Sequence, residues 1–160
     1  MPLVMGSIDL QELAQEVLAE LKAAYPNRTL QFDAKGDLTC DCDGARMRQV
    51  LSNLLGNALQ HGAEDSAIEL SLSSKGAKVM LAVRNLGPPI SPDVLPTIFD
   101  PLVRDTSMDA RRERRSGSIG LGLYIANEIV SSHGGAVDVT SSAESGTIFT
   151  VRMPRHHLAR

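Results

Sequence analysis

Gln49-Val50-Leu51-Ser52-Asn53-Leu54-Leu55-Gly56-Asn57-Ala58-Leu59-Gln60-His61 reads as the greater part of a helix. Asp43 is placed to cap its start, and Gly62 stops it at about His61. Asn53, Asn57 and His61 are spaced four apart, so they share one stripe of that helix. Met47, Leu51, Leu54, Leu55 and Ala58 fill the opposite arc. On periodicity alone, an ordinary amphipathic helix with a solvated polar side explains the pattern as well as a binding site does. The choice of Asn is the unusual part, because Asn forms helix poorly beside Glu, Lys or Ala. An amide oxygen is a neutral ligand suited to a magnesium ion that also holds phosphate oxygens.

The chain upstream supplies a helix and two strands. Residues 8–25 read as a helix, with Ile8, Leu10, Leu13, Val17, Leu18 and Leu21 at helical spacing and Pro26 past its end. Thr29 to Asp33 and Leu38 to Cys42 alternate as two short strands joined by Lys35-Gly36. Downstream, Ala67 to Ser73 and Lys78 to Val83 predict a hairpin about Lys75-Gly76. Gly87-Pro88-Pro89 ends its second strand, since adjacent prolines cannot continue a central ladder. Residues 91–117 read as loop, with a short helical turn near Pro92 to Phe99. A third helix runs from about Gly120 to His133 and closes at Gly134-Gly135. Ala136 to Ser141 and Thr147 to Met153 form a last hairpin. This order predicts helices stacked on one face of a mostly antiparallel sheet.

Two further segments can carry chemistry. In Gly117-Ser118-Ile119-Gly120-Leu121-Gly122-Leu123, glycines recur at the start of the third helix. There, backbone N–H groups and a helix N-terminus can approach a phosphate, although a flexible hinge has the same composition. No Gly-Lys-Ser or Gly-Lys-Thr is present, which excludes a Walker A loop, and no βαβ unit precedes the glycines. The loop Arg104 to Arg115 carries five arginines against three acidic residues, in a chain whose net charge is −3. It reads either as a solvated loop or as a mobile lid over a phosphate site.

Composition narrows the classes. At 160 residues the chain suits one domain with a real core. The net −3 gives no general attraction to nucleic acid, and 3% aromatic residues offer no stacking platform for single strands. No apolar run reaches membrane-spanning length, and the first residues lack a signal-peptide pattern. Cys40 and Cys42 are one residue apart, so they read as reduced thiols of a cytoplasmic protein rather than a bridge or a zinc site.

Together these segments resemble the catalytic and ATP-binding domain of bacterial sensor histidine kinases, a branch of the Bergerat-fold ATPases. Gln49 to His61 matches the N box, Asn85 to Ile90 the G1 box, Ile98 to Arg104 the F box, and Ser118 to Leu123 the G2 box. His133-Gly134-Gly135 and Ser145 to Val151 also follow the family. The resemblance implies an α+β two-layer sandwich, with about three helices on a mixed, mostly antiparallel sheet. It spans residues 8–154, with an ATP lid at about 103–117. Residues 1–7 are then linker or expression remnant, and 155–160 a C-terminal tail.

The resemblance also implies roles. Asn53, Asn57 and His61 would be the catalytic group: Asn57 holding the Mg2+ that bridges ATP phosphates, Asn53 near the phosphates, and His61 in reach of them. Asn85 stands where the family usually has an Asp that accepts from the adenine amino group. Gly87 would let the backbone approach the base, Ile90 and Leu123 would wall the pocket, and Thr147 would lie behind the adenine. Gly120, Leu121 and Gly122 would line the phosphates, with Arg104 at the edge of the lid. Three positions depart from the pattern: Asn85 for Asp, Pro89 for the second G1 glycine, and Ser118 for the first G2 glycine. An amide can flip and present a donor, so Asn85 should select adenine less firmly than a carboxylate would.

Hydrolysing relatives carry a Glu base one turn before the magnesium Asn. Here that position is Asn53, which takes up no proton, so transfer to another nucleophile is expected rather than hydrolysis. None of His61, His133, His156 and His157 has the acceptor-helix context, which puts the phosphoacceptor histidine on a separate dimerisation domain. The expected function is donation of the γ-phosphate of Mg–ATP to that histidine in a two-component system. The isolated domain would be a cytoplasmic monomer outside the membrane, serving a downstream response regulator. A degenerate nucleotide-binding or interaction module is the alternative that Asn85 and Pro89 support. An anti-sigma-type serine kinase is a third, against which the F-box-like segment argues.

Overall fold

The computed structural model describes residues 2–101 and 119–156. The lid at 103–117, Ser118, Arg104 and His157 therefore lie outside the described residues. Three long helices cover one face of a five-stranded sheet, as expected: α1 (Leu10–Ala24), α2 (Gly44–His61) and α3 (Ile119–Ser132). Strand β1 (Gly6–Asp9) pairs antiparallel with β3 (Thr39–Cys42) in a small sheet of its own. In the main sheet, β2 (Leu30–Lys35) lies parallel to β4 (Ile68–Lys75). The strands β5 (Lys78–Asn85), β7 (Gly146–Pro154) and β6 (Ala136–Ser142) follow in antiparallel order. A single 3-10 turn at Leu95–Thr97 is the helical piece expected between Pro92 and Phe99.

The two strands joined by Lys35-Gly36 lie in different sheets: β2 joins β4, and β3 joins β1. Alternation identifies a strand but not its partner, and the β1 partner sits in residues expected to be linker or helix. The first helix begins at Leu10, not Ile8, because Asp9 caps it by accepting from the Gln11 and Glu12 N–H groups.

The apolar arc of α2 is buried against the sheet, including Met47, Leu51, Leu54, Leu55 and Ala58. The sheet answers in rows set by register: Leu81, Val151 and Val137 form one, and Val83, Phe149 and Val139 the next. Phe99 meets Phe149 edge to face, with ring centroids 6.0 Å apart. Cys40 and Cys42 are free thiols buried in this core.

Asp43 and His133 pin the far end of α2. Asp43 accepts from the Arg46 and Val4 N–H groups, and its own N–H donates to His133 Nε2 at 3.0 Å. The other ring nitrogen, Nδ1, donates to the Ile129 carbonyl at 2.8 Å, so both nitrogens of this buried histidine are engaged. The Val4 N–H, more than any other contact, holds the Asp43 carboxyl below the usual carboxylate range. Stabilisation that depends on its charge is therefore present above the unfolded value and lost as pH falls through the lowered folded one. Urea denaturation of Asp43→Ala should show a loss of ~1 kcal/mol at neutral pH, shrinking as acid carries the pH below the ordinary carboxylate range. A second check is Gly56→Ala in α2, where an added Cβ meets nothing within 4 Å. It should raise stability by ~0.5–1 kcal/mol, measured by the same denaturation.

Candidate functional site

The apolar rows of the sheet give way to a polar one at the end nearest the C-terminus of α2. Asn85 pairs with Thr147, and Thr147 with Ser141, across β5, β7 and β6. Each continues an inward-facing alternation: Val79, Leu81 and Val83 lead to Asn85, and Val137 and Val139 lead to Ser141. Four polar residues are fully buried among the described residues: Asp43, His133, Asn85 and Thr147. The first two are hydrogen-bonded as above. Asn85 and Thr147 are 3% and 5% exposed, with the Asn85 amide nitrogen 3.4 Å from the Leu86 carbonyl and Thr147 Oγ1 2.7 Å from Ser141 Oγ.

Backbone closes around Asn85. Leu86 accepts from the Ala63 N–H at 2.7 Å, tying the end of β5 to the residue after Gly62. A Cβ at Gly62 would stand 3.0 Å from the Asn85 Cβ. One at Gly87 would stand 3.0 Å from the Ala63 nitrogen and 3.1 Å from the His61 carbonyl, and Gly87 has φ +141°. Gly146, at φ +79°, lies against the Asn85 carbonyl with no room for a side chain. Three glycines thus let three segments meet at one residue. The Asn85 amide nitrogen reaches the Leu86 carbonyl at 3.4 Å.

Asn53 binds α2 to α3, its amide donating to the Gly122 carbonyl at 3.0 Å. Gly120, Leu121 and Gly122 form the first turn of α3, beside the N-box stripe. Asn57 and His61 are half-buried on the same stripe. Among the described residues no group of three or more His, Cys, Asp or Glu could hold a metal by itself. The amide oxygen of a residue such as Asn57 is a neutral donor of the kind a magnesium ion takes alongside phosphate and water. Ile90 is half-buried and packs on the core, whereas Leu123 is wholly inside it.

Of the residues expected from sequence, Asn85, Gly87 and Thr147 come together, and Asn53 meets Gly122. Arg104 is outside the described residues. Ser141 was not anticipated. Its Oγ accepts from the Ile90 N–H at 2.8 Å and lies 2.7 Å from Thr147 Oγ1. The signal for it was present: a polar residue on the apolar face of β6, two positions after Val139.

The family described as histidine kinase-, DNA gyrase B- and HSP90-like ATPase matches residues 42–157. The signal transduction histidine-protein kinase AfsQ2 of Streptomyces coelicolor is 35% identical over 153 residues. That match covers 96% of this chain but only 27% of AfsQ2, so the chain spans about a quarter of that relative. The catalytic domain of histidine kinase ThkA, in a nucleotide-free form, superposes with a TM-score of 0.80 at 30% identity. It is covered completely, by 97% of this chain. ThkA in complex with the response regulator TrrA matches at 0.75 and 27% identity, over 94% of this chain and 42% of that one. Full-length ShkA in complex with AMPPNP matches at 0.79 and 28% identity, over 100% of this chain and 33% of that one. The chain therefore belongs to the histidine kinase-, DNA gyrase B- and HSP90-like ATPase family, and its fold is that of histidine kinase catalytic domains.

Proposed function

We propose that this domain binds Mg–ATP and donates the γ-phosphate to a histidine on a separate dimerisation and phosphoacceptor domain. The observation that carries the reading is the pair of buried polar residues, Asn85 and Thr147, that end the apolar rows of the sheet. Asn85 Oδ1 accepts from the adenine amino group, and the Thr147 hydroxyl lies beside it. Ile90 supplies an apolar wall. The first turn of α3 presents backbone N–H groups and a positive dipole end to the phosphates. Mg2+ supplies charge neutralisation on the phosphate oxygens, and Asn57 is the residue placed to hold it. Asn53 keeps α2 and α3 in register and offers no base for water, which favours transfer over hydrolysis.

A response regulator is the expected partner downstream, by analogy with ThkA and TrrA. Among the described residues no helix is long and apolar enough to cross a membrane. A cytoplasmic place and a monomeric state for this domain belong to the same proposal.

Isothermal titration with Mg–ATP should give a dissociation constant in the micromolar to millimolar range. Asn57→Ala should weaken Mg–ATP by at least ~10-fold while changing metal-free ATP much less, because only the ion is lost. Binding that is absent at millimolar Mg–ATP would leave the degenerate, interaction-module reading in its place. Adding the parent's dimerisation domain and following phosphate onto histidine tests the transfer itself. Asn85→Asp should raise the preference for ATP over GTP, since a carboxylate only accepts.

A further inference from the structure

Arg28 stands between α1 and β2, and its half-buried guanidinium reaches the end of α2. One terminal nitrogen donates to the Leu59 carbonyl at 2.9 Å, and the other to the Ala63 carbonyl at 3.3 Å. The backbone of Arg28 is itself held. Its N–H donates to the Tyr25 carbonyl at 3.1 Å, and its carbonyl accepts from Lys22 Nζ at 2.7 Å. Lys22 also donates to the Pro26 carbonyl at 3.2 Å, so the last turn of α1 carries the loop from which Arg28 extends. The fork of Arg28 lies at a helix C-terminus, where carbonyls lack partners within the helix and a cation meets the negative end of the dipole.

The Leu59 carbonyl is the one that needs an outside donor. The Gly62 N–H still closes on Ala58, four residues back, at 2.7 Å. By the same rule the Ala63 N–H belongs to Leu59. It goes instead to the Leu86 carbonyl at 2.7 Å, and that bond ties the end of β5 to the end of α2. Arg28 supplies the donor that Leu59 forgoes. Leu59 is 4% exposed, so bulk water is a poor substitute. A buried carbonyl left unpaired costs free energy, and without Arg28 that cost draws the Ala63 N–H back to Leu59 and away from Leu86. At the Ala63 carbonyl, the second arm of the fork joins the Ser66 N–H and hydroxyl.

We infer that Arg28 is a positioning residue of the nucleotide site, which caps Leu59 so that the Ala63 amide can hold Leu86 and Gly87 against the end of α2. The inference rests on the nucleotide reading above and adds a residue outside every box that the resemblance marks. Arg28 acts through the backbone junction, not by contact with the nucleotide. A Cβ on Gly87 would stand 3.0 Å from the Ala63 nitrogen, so the two segments are in close contact where that amide sits. Turning the amide to Leu59 removes the bond between them and lets the junction around Asn85 open.

Two measurements test this. In NMR, couplings across hydrogen bonds should link the Ala63 nitrogen to the Leu86 carbonyl carbon in the unsubstituted chain, and to Leu59 in Arg28→Ala. A link to Leu59 already present in the unsubstituted chain would overturn the inference, a result that needs no variant to fold. In titration with Mg–ATP, Arg28→Ala should bind ~10-fold more weakly at unchanged stoichiometry, the effect of one charge-assisted hydrogen bond. A merely structural role would lower the stoichiometry, because fewer chains are folded, and leave the dissociation constant where it was; that result would overturn the inference. Arg28→Lys keeps the charge and one donor but not the fork, and should stay within about threefold of the unsubstituted chain. Arg48→Ala removes the ion pairs that join α2 to Glu16 and Glu20 of α1, and should leave the constant unchanged. Binding by the unsubstituted chain with no change of constant in Arg28→Ala would overturn the inference alone. No binding by the unsubstituted chain at millimolar Mg–ATP would overturn the nucleotide reading and the inference with it.

Discussion

Everything at the site depends on how closely backbone can approach Asn85. The end of α2, the turn after β5 and the start of β7 all arrive there, and each arrives on a glycine. Gly62, Gly87 and Gly146 do not act as flexible hinges. They remove side chains from a junction where a Cβ would collide with a carbonyl, an amide nitrogen or Asn85 itself. The Ala63 to Leu86 hydrogen bond closes that junction. Because three segments meet there, Asn85 is buried to 3% exposure.

The sheet makes the polar row by continuing its own rules. The three strands that carry the apolar rows Leu81–Val151–Val137 and Val83–Phe149–Val139 carry Asn85–Thr147–Ser141 one step further on. The site is thus the last row of the core, with polar residues substituted for apolar ones. Helices α2 and α3 cover the apolar rows, and Asn53 bonded to Gly122 keeps them together. At the other end of α2 the buried polar pair Asp43 and His133 is saturated with hydrogen bonds and serves as a clasp.

Much of this was legible in the residues. The Asn53, Asn57, His61 stripe, the hairpin strands and the helix ends follow from periodicity, caps and glycine stops. The family follows from the order of several short segments, none of which identifies it alone. Strand pairing was not legible, because alternation says nothing about the partner: β2 lies parallel to β4, and β3 pairs with a strand in the first ten residues. Ser141 escaped notice for a related reason. Its meaning lies in a bond to Ile90, some 50 positions away in sequence.

The central claim is that the polar row and the backbone junction around it seat the base of a nucleotide. Amide hydrogen exchange followed by mass spectrometry, with and without saturating Mg–ADP, tests this most directly. Protection should concentrate in residues 61–63, 85–90 and 141–147. Exchange that is unchanged there, with protection confined to the β2 edge of the sheet or to α1, would contradict it.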